Sequence, residues 1–438
     1  IYWFRWGYGN WLWWHKSKIK FEEIGKNKAK TDNIFSKCHE YWDIAQKIIV
    51  AEIIKKEKEQ TLLKVNLKEA RKNREKEVEK EIQRNTNFSN FKVDVLRSIG
   101  SAIGWTILQG QTHIIRRLFL EESPPTLSTS NLGSVIKKVD EINNGNPLEF
   151  ALIADITNFI QIGDILHKGI DSIQYVEMKE GQKNVEAKKI LDNILATEKP
   201  IEEVDKIVED KKMNKQVKRM FRQVEKGNRA IEIMRNDEGI DPLREEEMKL
   251  VEPDFPYEDY NLELLELIEK CNKEHHAYNV IDDCVLIGAY SHEHKFKGKF
   301  IIEAIISQLT GKNYPVTNLM KLISIPTVQP IFSKPFRVEN TMNIIFDRIR
   351  VSLCIDFDKL IGIFNSYSAE AKWLTPRQTQ RIRDYKGSNH GMFTFNNQAI
   401  SIKYNGIENR LGNGIVGRIL FDNLKPTSAV GMFLSTMK

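Results

Sequence analysis

The sequence predicts an α/β chain, α+β overall: a central mixed sheet flanked by helices, an N-terminal helical arm before it and a C-terminal α+β domain after it. Three observations predict this. Residues 43–83 lack glycine and proline and carry charges of both signs at helical spacing. Residues 150–153 are uniformly apolar and residues 173–179 alternate, so the middle of the chain reads as strands. Beyond an acidic stretch at 236–256, apolar helical and strand-like runs resume. A chain of 438 residues is long enough for two or three domains. The punctuation divides it into 1–90, 91–240 and 241–438.

Composition sets the outer bounds. Hydrophobic content of 41% and charged content of 29% describe a globular protein and exclude a disordered or fibrous one. A net charge of +6 permits nucleic-acid binding without demanding it, because phosphate affinity follows where Lys and Arg cluster. Four cysteines are too few and too scattered for a disulfide scaffold, which predicts a reducing, cytoplasmic setting. No run of eighteen uncharged apolar residues occurs, so no spanning helix and no membrane partner are expected.

Taken in order, the first element is aromatic: five of the eight tryptophans fall in residues 1–14. This stretch lacks the charged start and cleavage site of a signal peptide and reads as buried packing; an interfacial anchor or a base-stacking platform are its other uses. Residues 43–83 form a long solvated helix or helical hairpin, which a homodimer or partner protein could also grip, as it could the C-terminal domain. Residues 85–90, rich in Asn and Ser, mark the start of the central domain. An apolar helix spans 95–120, a Pro-containing loop follows near 124, and a turn at 142–147 precedes the 150–153 strand. A charged helical stretch at 183–235 covers the sheet, and residues 236–256 read as a linker. In the last domain, helices are expected at 261–272 and 299–309, and strands at 283–289, 327–332, 342–353 and 391–404. The glycine-rich run at 412–418 matches no phosphate loop and reads as turns.

The chemistry-bearing stretch is Ile162-Gly163-Asp164-Ile165, followed thirteen positions after Asp164 by Glu177-Met178-Lys179. His167-Lys168-Gly169-Ile170-Asp171 reads as the turn of a hairpin joining two strands. Alternation along 173–179 sends Glu177 and Lys179 to one side of the second strand. Asp164 and Glu177 are hard oxygen ligands suited to Mg²⁺ or Mn²⁺, with the Met178 carbonyl completing the set. Lys179 would orient a water or bind a phosphate oxygen. This is the equipment for metal-assisted cleavage of a phosphodiester.

These segments, from Thr157 to Ile165 and from Tyr175 to Gly181, resemble the PD-(D/E)xK, or restriction-endonuclease-like, nuclease superfamily in its Gly-Asp…Glu-x-Lys form. The chain departs from that pattern in having no proline before Asp164 and in placing Glu180 after Lys179; neither departure removes a ligand. The resemblance covers about a third of the chain. It implies a helix before the sheet, which 95–120 supplies, and a polar Gln-x-x-Arg pattern on the helix after the motif, which Gln216 and Arg219 match. It also points to Glu149 as the further carboxylate some members carry, and implies that the substrate is nucleic acid, DNA first, in a defence or DNA-processing role. Arg219, Arg222, Lys226 and Arg229 follow at three- to four-residue steps, a spacing suited to tracking phosphates. A catalytically inactive nuclease fold that binds nucleic acid or protein, and a scaffold built on the helical arm, are the other readings.

One further cluster is Cys271, His275, His276, Cys284, His292 and His294. It holds zinc-ligand residue types but matches no common finger spacing, and it reads as surface histidines around a core thiol.

Overall fold

A computed structural model describes residues 28–437 apart from 122, 130–131, 171, 179–181, 197–203, 209, 242–244, 251–256 and 387–390. The aromatic stretch 1–14 and Lys179 thus lie outside the described residues. The chain is mixed α and β, with small antiparallel sheets, and divides into two compact units, Ile1–Leu250 and Val251–Lys438.

The first unit opens on a hairpin of two long helices, α1 (Lys28–Lys72) and α2 (Lys76–Ile107). The turn between them is made possible by Arg74 at φ 60°, a left-handed conformation. Its outer half is laced by ion pairs such as Arg71 to Glu79 at 2.7 Å. Residues 85–90, expected to start a new domain, lie within α2 without interruption. Thr86 returns its hydroxyl to the Ile82 carbonyl at 2.8 Å, and Ser89 is buried, so polar groups that usually punctuate a chain are absorbed by the helix.

The inner half joins the core. Ile49, Val50 and Ile53 of α1 and Ile103, Trp105 and Ile107 of α2 pack with α3 (Thr112–Arg117), α4 (Leu132–Asn143) and the fully buried β1 (Phe150–Ile153). Strands β1, β2 (Ile165–Lys168) and β3 (Ile173–Val176) form an antiparallel meander, with Ile153 opposite Ile165 and Ile165 opposite Val176. β2 runs two residues further than expected, so the hairpin turn is shorter and is closed by the Gly169 N–H on the Ser172 carbonyl at 2.8 Å. The outer edge of β1 is covered by side-chain amides. Gln46 of α1 donates to the Ala151 carbonyl and accepts from the Ile153 N–H, both at 3.1 Å.

Helices α5 (Gln182–Ala196), α6 (Val204–Ile207) and α7 (Lys211–Asn236) follow. They gather a small core of their own around Leu191, Val217 and Met220, so most of this charged stretch does not cover the sheet as expected. Only the C-terminal part of α7 reaches it, where Ala230 joins the main core and Gly227 lies against Ile162. The expected linker contains a two-stranded hairpin, β4 (Glu238–Ile240) with β5 (Glu247–Lys249). The acidic run is anchored there because Asp241, 5% exposed, takes the Arg117 guanidinium.

In the second unit the elements run α8 (Asn261–Glu274), β6 (His276–Ile281), β7 (Val285–Ser291), α9 (Lys295–Thr310), β8 (Thr317–Asn318), α10 (Val338–Ile345) and β9 (Ile349–Ile355). Then come α11 (Phe357–Ser366), β10 (Glu370–Trp373), α12 (Pro376–Lys386), β11 (Ile400–Tyr404), β12 (Ile407–Arg410), α13 (Asn413–Phe421) and α14 (Pro426–Ser435). The strands build one antiparallel sheet in the order β6-β7-β9-β8 and a second in the order β10-β11-β12. Four expectations are corrected. Of the strand expected at 391–404 only 400–404 forms one, β11, residues 391–399 making turns and isolated bridges. Residues 327–332 form turns and a short 3-10 segment, not a strand. Residues 342–345 belong to α10, where Thr341, Ile344 and Ile345 bury one helical face that had passed for a β-branched strand. Residues 413–418 lie in α13 rather than in a run of turns, with Gly412 as its extended N-cap, and the Asn413 N–H is satisfied by the Gly391 carbonyl at 2.7 Å.

A buried polar knot ties the ends of this unit together. Lys334, 0% exposed, donates to the Phe421 carbonyl at 2.7 Å, and Asp422 accepts from the Gln329 N–H at 2.7 Å. Asn423 donates to Asn261 at 2.7 Å, and the Tyr260 hydroxyl to the Ile419 carbonyl at 2.5 Å.

Candidate functional site

Asp164 and Glu177 meet at the open end of the β2–β3 hairpin. The register pairs Ile165 with Val176, and one further step places Asp164 opposite Glu177. The Asp164 N–H donates to the Val176 carbonyl at 2.9 Å, and its Oδ2 accepts from the Met178 N–H at 2.5 Å. Gly163, at φ +73°, makes the bend into β2; a Cβ there would lie 3.2 Å from the Val176 carbonyl oxygen, tighter than ordinary contact. β3 ends at Val176, so Glu177 sits just past the strand, exposed, and the alternation expected over 173–179 stops there.

A third carboxylate, absent from the sequence reading, stands at the same end of the sheet. Asp155 follows β1, and the neighbouring Ala154 N–H donates to the Asp164 carbonyl at 2.9 Å. Burial raises its carboxyl to about 6; the Arg97 guanidinium opposes that rise and the negative charge of Glu177 adds to it. Asp155 and Glu177 are therefore close enough to repel. Arg97, on α2 and 4% exposed, donates to the Asp155 carbonyl and, at 2.8 Å, to the Pro125 carbonyl. One turn earlier on α2, burial likewise raises Asp94, with Arg97 working against it. The helix comes this close because residue 100 is glycine: a Cβ there would lie 2.3 Å from the Ile156 carbonyl oxygen. Gly100 and Gly104, one turn apart in a helix, were the sequence signal that a backbone presses on α2 here.

Other expected residues are not brought to this end. Glu149 sits at the opposite end of the sheet, where its Oε2 meets His167 Nε2 at 2.9 Å; Phe150 pairs with Lys168 while Ile153 pairs with Ile165. Gln216 and Arg219 lie on the part of α7 that packs with α5. Along that helix Gln216 is about 16 Å from Gly227, the residue that touches Ile162. Of the basic ridge, Arg219 and Arg222 are exposed, and Arg229 is paired with Glu225 at 2.5 Å. In the second unit, Cys271 and Cys284 are wholly buried and burial raises both thiols, while the four histidines are exposed. The His275 and His294 rings lie 4.6 Å apart.

No three His, Cys, Asp or Glu side chains among the described residues form a group able to hold a metal ion. Asp155, Asp164 and Glu177 thus form no three-ligand cage; Asp164 and Glu177, set opposite each other by the register, are two carboxylates, a number Mg²⁺ takes when water and substrate oxygens complete its shell. The negative charge of Glu177 adds to the rise at Asp155, an effect that a cation bound nearby would relieve.

No protein-family model, no curated protein and no solved structure matches the chain. No helix among the described residues is long and apolar enough to cross a membrane.

Proposed function

We propose that the first unit is a divalent-metal-dependent nuclease of restriction-endonuclease-like type, acting on DNA in a defence or DNA-processing role. The observation that carries this reading is the position of Asp164 opposite Glu177 at the open end of a hairpin. Support comes from Asp155 at the same sheet end and from α2, the helix that precedes the sheet. Asp164 and Glu177, with the Met178 carbonyl, would hold Mg²⁺ or Mn²⁺, which when bound would acidify a water and neutralise charge growing on a phosphate. Asp164 is oriented for this by the Met178 N–H, which its Oδ2 accepts at 2.5 Å. Lys179, next in the chain, keeps its expected role of orienting the attacking water or a phosphate oxygen. Gln216 and Arg219 take part only if the substrate reaches along α7. All four cysteines are buried free thiols, which suits a reducing cytoplasm.

One observation favours an inactive binding module instead: the Asp164 carboxylate already closes the hairpin through Met178, a structural task that needs no metal. Cleavage of labelled single- and double-stranded DNA and RNA in Mg²⁺, Mn²⁺ or EDTA separates the two. Metal-dependent cutting by the wild type that is lost in Glu177→Gln and Lys179→Ala supports the nuclease. Salt-sensitive binding with no turnover in any metal supports the module.

A further inference from the structure

The second unit contains a charge asymmetry that the nuclease reading leaves unused. From the start of β10, residues 370–418 hold eight Lys or Arg against three Asp or Glu, a surplus of five in a chain whose net charge is +6. These residues fold together. Thr379 of α12 accepts the Ala399 N–H at 3.0 Å beside β11, and Arg383 donates to the Thr394 hydroxyl at 2.9 Å, which fixes the rotation of α12. Thr375 and Gln378 close the start of the helix reciprocally, at 2.9 and 3.3 Å.

With Thr379 buried, the helix turns Arg377 and Arg381, one turn apart, to solvent. Two basic groups on the adjoining sheet are neutralised locally, Lys372 by Glu370 at 2.6 Å and Arg410 by Glu408 at 3.0 Å. Arg377 and Arg381 have no acidic partner among the described residues, and Asp384, on the same helix, accepts from Gln380 at 2.8 Å. We propose that this exposed face of α12, through Arg377 and Arg381, binds the phosphate backbone of nucleic acid.

The chemistry favours nucleic acid over an anionic membrane surface. Guanidinium forks match phosphate oxygens in pairs. Among the described outward positions of α12, Arg377, Gln378, Gln380, Arg381 and Asp384 are polar and Pro376 alone is apolar, so this face offers no long apolar side chain there to insert between acyl chains. Gln378, whose Oε1 is used at the start of the helix, carries beside the arginines an amide NH2 suited to phosphate or sugar oxygens, contacts that read no sequence. Binding here does not depend on cleavage at Asp164, because α12 belongs to the second unit and Asp164 to the first.

The test is fluorescence anisotropy of a labelled DNA duplex with the full chain in EDTA, where nothing is cut. Arg377→Glu/Arg381→Glu is compared with Lys270→Glu/Lys273→Glu, which makes the same charge change on exposed positions of α8. The α12 variant is expected to bind at least about tenfold more weakly and to lower the slope of log affinity against log salt by about 2, while the α8 variant binds like wild type. Equal binding by all three proteins, or equal loss in both variants, overturns the proposal. So does wild-type binding to vesicles containing phosphatidylserine without binding to duplex.

Discussion

Asn143 holds both polar groups of Ala151: its Oδ1 accepts the Ala151 N–H at 2.7 Å and its Nδ2 donates to the Ala151 carbonyl at 3.2 Å. An asparagine at the end of α4 thus takes the place of a neighbouring strand on the outer edge of β1. The second unit uses the same clamp, with Asn365 of α11 bonded to the N–H and carbonyl of Ala371 on β10 at 2.7 and 3.3 Å. Edges finished in this way cannot accept another strand.

Removing the clamp should be expensive. Asn143→Ala leaves the fully buried Ala151 N–H without an acceptor, and a loss of about 2 kcal/mol is expected in urea denaturation. Asn143→Asp, which keeps the acceptor but turns a negative charge toward the Ala151 carbonyl, should cost more than the alanine. A change within a few tenths of a kcal/mol for both would show that water reaches this edge.

Asp164 combines two tasks that substitution can separate. Asp164→Asn keeps an oxygen for the Met178 N–H and should fold as stably as wild type while losing metal-dependent cleavage. Asp164→Ala should lose cleavage and about 1 kcal/mol of stability as well. Thermal melts and cleavage rates on the same preparations check this; full cleavage by the asparagine variant would remove Asp164 from the site.

Asp155 is held at a cost. Its carboxyl is raised to about 6, above the ordinary 3.8, so between those values the folded state binds more protons and stability falls as the pH rises, and above 6 the full penalty of the ionised form stands. In EDTA at pH 7.5, Asp155→Asn is therefore expected to stabilise the protein by about 2 kcal/mol, read from the denaturation midpoint. A destabilised Asp155→Asn would mean that its attraction to Arg97 outweighs its burial.

Lys334 makes stability depend on alkaline pH. Burial lowers its ammonium to about 8 from 10.5, with Asp422 and Asp259 limiting the fall. Between those values the unfolded chain binds more protons, so stability rises with pH; below 8 the penalty is constant. The gain approaches about 3 kcal/mol by pH 10.5. Lys334→Met should remove this rise, seen as the difference between the two denaturation profiles from pH 7.5 to 10.5. That difference also cancels the buried thiols, which act in the opposite sense because burial raises them. Parallel profiles would contradict it.

The parts of the fold that were legible in the sequence had a single local cause. The uniformly apolar 150–153 is β1, and the breaker-free 43–83 lies within the long hairpin. Asp164 and Glu177 could be paired because a two-stranded turn links them over thirteen residues. Asp155 and Arg97 could not, since they are 58 positions apart and meet only because glycine at 100 lets α2 lie against the chain after β1. Residues 85–90 misled because Asn and Ser signal loops only when their side chains compete for the backbone; here the neighbouring Thr86 turns back into its own helix. Residues 412–418 misled in the opposite way, since glycines that suggest turns were tolerated in a helix buried on Ile419 and Phe421.

Because α2 runs unbroken from Lys76 to Ile107, the arm has no joint where it enters the core. Any bend between its tip and Arg97 would have to break main-chain hydrogen bonds. The span of 21 residues amounts to about 32 Å of helix. Mechanically the arm is a ruler and not a hinge: whatever rests on its tip is held at one fixed distance from the guanidinium that seats Asp155.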